Sequence, residues 1–132
     1  MQHADEIKRL VLCSGKVYVD LMATNDKTPA AAVAVVRVEE LYSFPREELA
    51  EVIGSYPNLE EIAWVQEEPQ NMGAWSYIAP QLYELLPASI PLRYIGRAAS
   101  ASTAEGSLAL HMIEQQRIVQ AALFERMVND ES

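Results

Sequence analysis

The stretch Lys8-Arg9-Leu10-Val11-Leu12-Cys13-Ser14-Gly15-Lys16-Val17-Tyr18 decides the fold. Leu10 to Cys13 is apolar without alternation, the pattern of a strand buried on both faces of a sheet. Ser14-Gly15 breaks the run, and apolar residues at helical spacing follow, with Val17, Tyr18 and Leu21 on one side. The pattern predicts a strand over Lys8 to Cys13, a tight turn, and a helix from Lys16 to about Thr24. Strand, turn and helix in that order form the repeating unit of an α/β protein.

The same unit recurs downstream. Asn25 to Pro29 reads as a polar loop. Ala32 to Val38 reads as a second strand, nearly all apolar and expected to be buried on both faces. Pro45 suits a helix's first turn, and Glu47 and Glu48 suit its positive end. That helix carries Leu49, Val52 and Ile53 and stops at Gly54-Ser55. A third strand is expected from Glu61 to Gln66, then a loop over Glu67-Glu68-Pro69-Gln70-Asn71. Gly73-Ala74-Trp75 opens a helix with Ile78, Leu82, Leu85 and Leu86, which Pro80 should kink or split. Leu92 to Ile95 is the fourth strand and Gly96 to Ser102 a loop. The last helix is expected from about Ser102 to Met127, with Ser102 and Glu105 as a capping box. Its inner stripe is Leu108, Met112, Gln115, Val119 and Leu123. Four strand–helix alternations predict a mainly parallel sheet with helices on both faces. Residues 1–132 read as a single domain, without repeat or linker.

Composition excludes several functions. The 132 residues carry a formal net charge of −9, which opposes binding to phosphate backbones. No window approaches the roughly 20 apolar residues of a membrane span, and the amino-terminal residues lack a signal core. One cysteine, Cys13, rules out an internal disulfide, and its apolar surroundings read as those of a buried small hydrophobe. His111 has no second donor at metal spacing beyond Glu114, so no metal site is expected.

Ligands of open α/β sheets gather outside the carboxyl ends of the strands. Three loops there carry candidate residues. Ser14 and Lys16, around Gly15, form either an anion-binding turn or a plain tight turn; the glycine spacing of a P-loop is missing. Glu67 and Glu68, with Gln70 and Asn71, offer two carboxylates. Neighbouring side chains in extended chain point opposite ways, so a domain-contact or loop-structuring role fits them better than shared acid–base work or metal ligation. Arg97 with Ser100 and Ser102 suits a phosphate, a carboxylate or an ion pair across an interface. No nucleophile elbow is present, and no acidic residue ends the first strand to receive a phosphoryl group.

Taken together, several segments resemble a known family. The opening stretch is one. Ala34-Val35-Val36-Arg37-Val38-Glu39-Glu40-Leu41-Tyr42 with Phe44-Pro45 is the next. Trp64-Val65-Gln66-Glu67-Glu68-Pro69 with Asn71 and Gly73-Ala74-Trp75 is the most distinctive. Leu92-Arg93-Tyr94 with Gly96-Arg97, and Ala99-Ser100-Ala101-Ser102, complete the order, and His111 and Gln115-Gln116 fall in its final helix. From Lys8 to Leu123 the chain resembles the carboxyl-terminal domain of the thiamine-dependent decarboxylating component of 2-oxoglutarate dehydrogenase. Relatives acting on 2-oxoadipate share much of the pattern.

The resemblance implies a transketolase carboxyl-terminal-type domain: a three-layer α/β/α fold with a mostly parallel mixed sheet of about five strands, one edge strand antiparallel. It implies a piece of a much longer, homodimeric chain. That enzyme decarboxylates 2-oxoglutarate on thiamine diphosphate with magnesium, within the citric acid cycle. It then passes the succinyl group to the lipoyl arm of a transacylase component. The cofactors are expected in preceding domains, so no catalytic or cofactor-binding residue is expected in these 132. The implied role is structural, in contact with neighbouring domains and the second subunit. A regulatory module for an adenine nucleotide or acyl-coenzyme A is the alternative. The implied location is cytoplasmic in a bacterium and the mitochondrial matrix in a eukaryote.

Overall fold

In the computed structural model, residues 3–97 and 108–126 are described. After a 3₁₀ turn at Ala4–Glu6, the order is β1 (Arg9–Cys13), α1 (Val17–Lys27), β2 (Val33–Arg37) and α2 (Arg46–Gly54). Then follow β3 (Glu61–Pro69), α3 (Trp75–Leu85), β4 (Leu92–Arg97) and α4 (Leu108–Phe124). The four strands form one sheet in the order β2-β1-β3-β4, and every pairing is parallel.

Alternation along the strands sorts the core into two layers. Val11, Cys13, Ala63, Val65 and Ile95 face Val17 and Leu21 of α1 and Ile118, Val119, Ala122 and Leu123 of α4. Leu10, Leu12, Ile62 and Trp64 face Leu49 and Ile53 of α2 and Ile78 and Leu82 of α3. Helices therefore cover both faces, as right-handed parallel crossovers require. From β1 the chain passes to β2 on one side and later returns to β3 on the other. The point where the direction reverses lies between the carboxyl ends of β1 and β3, the place where such sheets bind or dock.

The structure corrects the sequence reading in several places. The sheet has four strands among the described residues rather than about five, and no antiparallel edge strand is among them. β2 is an edge strand, and Ala34, Val35 and Val36 are only half-buried. α1 continues through Asn25 to Lys27, where a loop was expected. Thr28 N–H still bonds the Thr24 carbonyl, and the Asn25 side chain accepts from Ala30 N–H. β3 runs three residues past Gln66, because Pro69 still pairs with Arg97 across a register shift. Pro80 lies inside α3, which remains one helix rather than two. Of the stripe expected on α4, Val119 and Leu123 are buried, but Leu108 and Met112 are exposed. The capping box at Ser102 and Glu105 lies outside the described residues.

One buried polar network sits at the opposite, amino-terminal edge of the sheet. Register places Arg9 of β1 directly beside Glu61 of β3. Both are buried, and Arg9 Nε donates to Glu61 Oε2 at 3.0 Å. Arg9 Nη1 donates to the Ala122 carbonyl at 3.1 Å, and Nη2 to those of Glu125 and Arg126 at 2.7 and 3.2 Å. The first of these carbonyls lies in the last turn of α4 and the other two just beyond its end, so the guanidinium opposes the negative helix end. Among the described residues Glu61 Oε1 accepts no hydrogen bond; Arg93 stands 3.9 Å away and also pairs with Glu125. Arg9 thus ties the last helix to the two central strands.

Candidate functional site at the carboxyl edge of the sheet

The loop after β3 is built around one amide. Gln66 is buried at the strand's last inward position before the bend. Its Oε1 accepts from Trp64 Nε1 at 2.8 Å and from Trp75 N–H at 3.1 Å. Its Nε2 lies within bonding distance of the carbonyls of Glu68, Pro69 and Met72, at 3.1, 3.0 and 2.8 Å. A single side chain therefore holds the loop from Glu68 to Trp75 at both ends. Gly73 turns that loop at φ +67, with Glu68 and Gln66 atoms 3.0 to 3.3 Å from where a Cβ would stand. Gly96 is required for a different reason: a Cβ there would meet the Tyr94 hydroxyl at 2.5 Å and the Gln66 carbonyl at 2.7 Å. The Tyr94 hydroxyl donates to the Arg97 carbonyl at 2.7 Å, and its ring packs against Trp75. Burial raises the Tyr94 phenol above its ordinary value, with a smaller contribution from the Glu68 charge.

Glu67 and Glu68 are consecutive in extended backbone and part company. Glu67 turns to the α1/α4 face, where Gln115 Nε2 donates to its Oε1 at 2.6 Å. Glu68 stays with the Gly73 loop and is exposed. The same Gln115 nitrogen donates to Asp20 of α1 at 2.8 Å, so one amide bridges two carboxylates from different elements. A hollow of about 600 Å³ opens beside it, lined by Lys16, Asp20, Lys27, Glu67, His111 and Gln115 among others. Arg97, His111 and Glu114 approach Glu67 and Gln115 in a small adjoining recess. Arg117 donates to Glu114 at 2.6 Å and to the Gly96 carbonyl at 2.8 Å, which fastens α4 to the end of β4. That bond holds the Glu114 carboxyl below its ordinary value and the Arg117 guanidinium above its own.

The fold brings Lys16, Glu67 and Arg97 to the same quarter of the sheet edge. Glu68 is near the end of β3, and Gln70 and Asn71 lie on the loop beyond, where Gln70 N–H bonds the Arg97 carbonyl. Ser14 is half-buried in the turn, beside Gly15 at φ +74. Ser100 and Ser102 lie outside the described residues. Sequence reasoning missed Asp20 and the bridging role of Gln115, although an amide on an apolar helical stripe is itself a signal of a polar partner. No three His, Cys, Asp or Glu side chains converge among the described residues as a metal donor set.

A family model described as 2-oxoglutarate dehydrogenase C-terminal matches residues 1–123. The chain belongs to the 2-oxoglutarate dehydrogenase C-terminal family. Among individual proteins, it is 48% identical over 119 residues to the 2-oxoglutarate dehydrogenase E1 component of Shouchella clausii. It is 49% identical over 121 residues to that of Bacillus licheniformis. The matches cover 89% and 90% of this chain but only 13% of each relative, so the chain spans a small part of their length. Among solved structures, a split gene transketolase, an inactive beta4 tetramer, superposes with a TM-score of 0.62 over 96% of this chain and 44% of its own, at 19% identity. That likeness speaks to fold: this member of the 2-oxoglutarate dehydrogenase C-terminal family has a transketolase-like α/β architecture. No helix among the described residues is long and apolar enough to cross a membrane.

Proposed function

We propose that residues 1–132 form a single domain at the carboxyl end of a 2-oxoglutarate dehydrogenase E1 polypeptide, where it supports the cofactor-bearing domains rather than reacting itself. The parent enzyme is a cytoplasmic homodimer that oxidatively decarboxylates 2-oxoglutarate and succinylates the lipoyl group of its transacylase partner. The observation that carries this reading is the use of Gln66. Its amide is committed to fixing the backbone of Glu68 to Trp75, which leaves Glu68, Asn71 and Met72 exposed on a defined loop. A rigid polar edge of this kind orients a neighbour, and preorganisation from outside a site contributes to catalysis within it.

Thiamine diphosphate supplies the electron sink of the reaction when bound, together with magnesium. The described residues do not fit that group. They assemble no set of three metal donors, and their acids are turned apart or bridged by Gln115. No chemical step is assigned to them. The test is charge reversal at the carboxyl edge of the sheet in the full-length enzyme: Glu68→Lys, with Arg97→Glu as the second variant. Loss of turnover with 2-oxoglutarate or a weakened dimer is expected. Unchanged turnover and unchanged dimerisation in both variants would refute the supporting role.

A further inference from the structure

The first two turns of α4 are built unlike the rest of the surface. Residues 108–113 read Leu-Ala-Leu-His-Met-Ile, with no formally charged side chain in a chain of net charge −9. Leu108, Leu110, Met112 and Ile113 are 74%, 55%, 60% and 64% exposed. Successive positions lie about 100° apart around a helix, so these four residues spread over about 200° of it, a sector wider than one packing stripe. An apolar sector that wide, left uncovered, suits a face buried against another surface.

Its placement is fixed. Arg9 holds the far end of α4 at the amino edge of the sheet, and Gln115 holds the middle at the carboxyl edge through Asp20 and Glu67. The helix thus runs antiparallel to the strands, and Leu108 stands about 10 Å beyond the Gln115 contact at 1.5 Å per residue. The result is a rigid apolar knob. Such a knob needs an apolar socket. The matched E1 relatives carry most of their length outside the region this chain matches, which is 13% of each.

We infer that residues 108–113 are the docking element by which this chain seats in an apolar socket on the remainder of its own E1 polypeptide. The inference rests on the E1 reading above and names the contact within it. Its test uses the full-length enzyme with a photocrosslinking benzophenone in place of Met112, an exposed position whose replacement leaves the core intact. Irradiation is expected to give a link within the same polypeptide to residues preceding this chain, mapped by mass spectrometry. Amide hydrogen exchange over 108–113 should be at least tenfold slower in the full-length enzyme than in the 132-residue chain alone. A link to residues 108–124 of a second copy, or no link and equal exchange, would overturn the inference. Turnover of 2-oxoglutarate by the same preparation separates the two failures. With turnover present, a missing link removes the docking element alone, whereas absent turnover in the unmodified enzyme removes the E1 reading itself.

Discussion

Replacing Gln66 with leucine should cost far more than an ordinary change on a loop. The side chain accepts two hydrogen bonds, and the donors it leaves behind differ in access to water. Trp64 is fully buried, so its indole N–H loses its acceptor with no route to solvent. An orphaned buried donor costs about 1–3 kcal/mol. Trp75 N–H, in the first turn of α3, loses its acceptor in a partly buried place, for about 1 kcal/mol more. On the donor side, two amide hydrogens are shared among three carbonyls, and of these Pro69's is the least able to find water. That adds about 1 kcal/mol, and the apolar gain of leucine offsets a similar amount. The net expectation is a loss of about 3 kcal/mol, or a midpoint lower by roughly 10 °C for a chain of this size.

Urea and thermal unfolding of the 132-residue chain would measure that loss. Hydrogen exchange would show whether protection falls first in residues 68–75. A loss below about 1 kcal/mol would refute the claim that Gln66 organises the loop. The isosteric Gln66→Glu separates donor from acceptor. It keeps the oxygen facing Trp64 and Trp75 but sets a carboxylate against three carbonyls. The folded state then prefers the protonated acid, and its pKa lies above that of the unfolded chain. The unfolded chain therefore releases the proton first as pH rises, and stability should fall from about pH 4.3 upward. A pH-independent Gln66→Glu variant would contradict the geometry.

Two further outcomes follow from the buried groups. Arg9→Met strands Glu61 beneath the sheet edge and uncaps α4, and should cost about 3–5 kcal/mol in urea unfolding. Adding Glu61→Leu should recover most of the loss, and a double variant no better than the single would show that the pair is not the cause. Burial pushes the Cys13 thiol up to about 12 from 9.0. Its folded pKa exceeds the unfolded one, so stability should decline between pH 9 and 12, at up to about 1.4 kcal/mol per pH unit from this group. Native protein at pH 8 should resist thiol reagents until urea unfolds it; rapid labelling without unfolding would place Cys13 at the surface.

What the sequence disclosed follows from what is local. The apolar run Leu10 to Cys13 and the helical spacing of Ile78 and Leu82 report burial wherever their partners lie, so the elements and layers were legible. Strand order is not local. Val33 to Val36 looks as apolar as a central strand, yet β2 is outermost and Ala34, Val35 and Val36 are half-covered. The end of β3 is set by pairing with β4, which carries the ladder to Pro69 although proline and two glutamates argue for a loop. The pair Arg9 and Glu61, fifty-two residues apart, depends on strand register, which no pattern along the chain encodes. Leu108 and Met112 continue a convincing stripe, but the sheet ends before α4 does, and the stripe runs on into solvent.

The candidate site teaches a related point about motifs. Gln66-Glu67-Glu68-Pro69 with Gly73-Ala74-Trp75 is the most distinctive string in the chain, and two adjacent acids invite a catalytic reading. Strand geometry sends those acids to opposite sides, one to Gln115 and the other to the Gly73 loop. The remaining members each meet a folding demand. Gln66 satisfies the loop backbone, Gly73 supplies a positive φ against Glu68, and Trp75 gives the amide that closes the ring of bonds and the ring that packs on Tyr94. A string can therefore be specific because several backbone groups must be satisfied in a small volume, with no bond-making chemistry required. By that reasoning the residues to perturb first for the parent reaction are the exposed Glu68 and, at the end of β4, Arg97, while Gln66 belongs to the stability of the loop beside them.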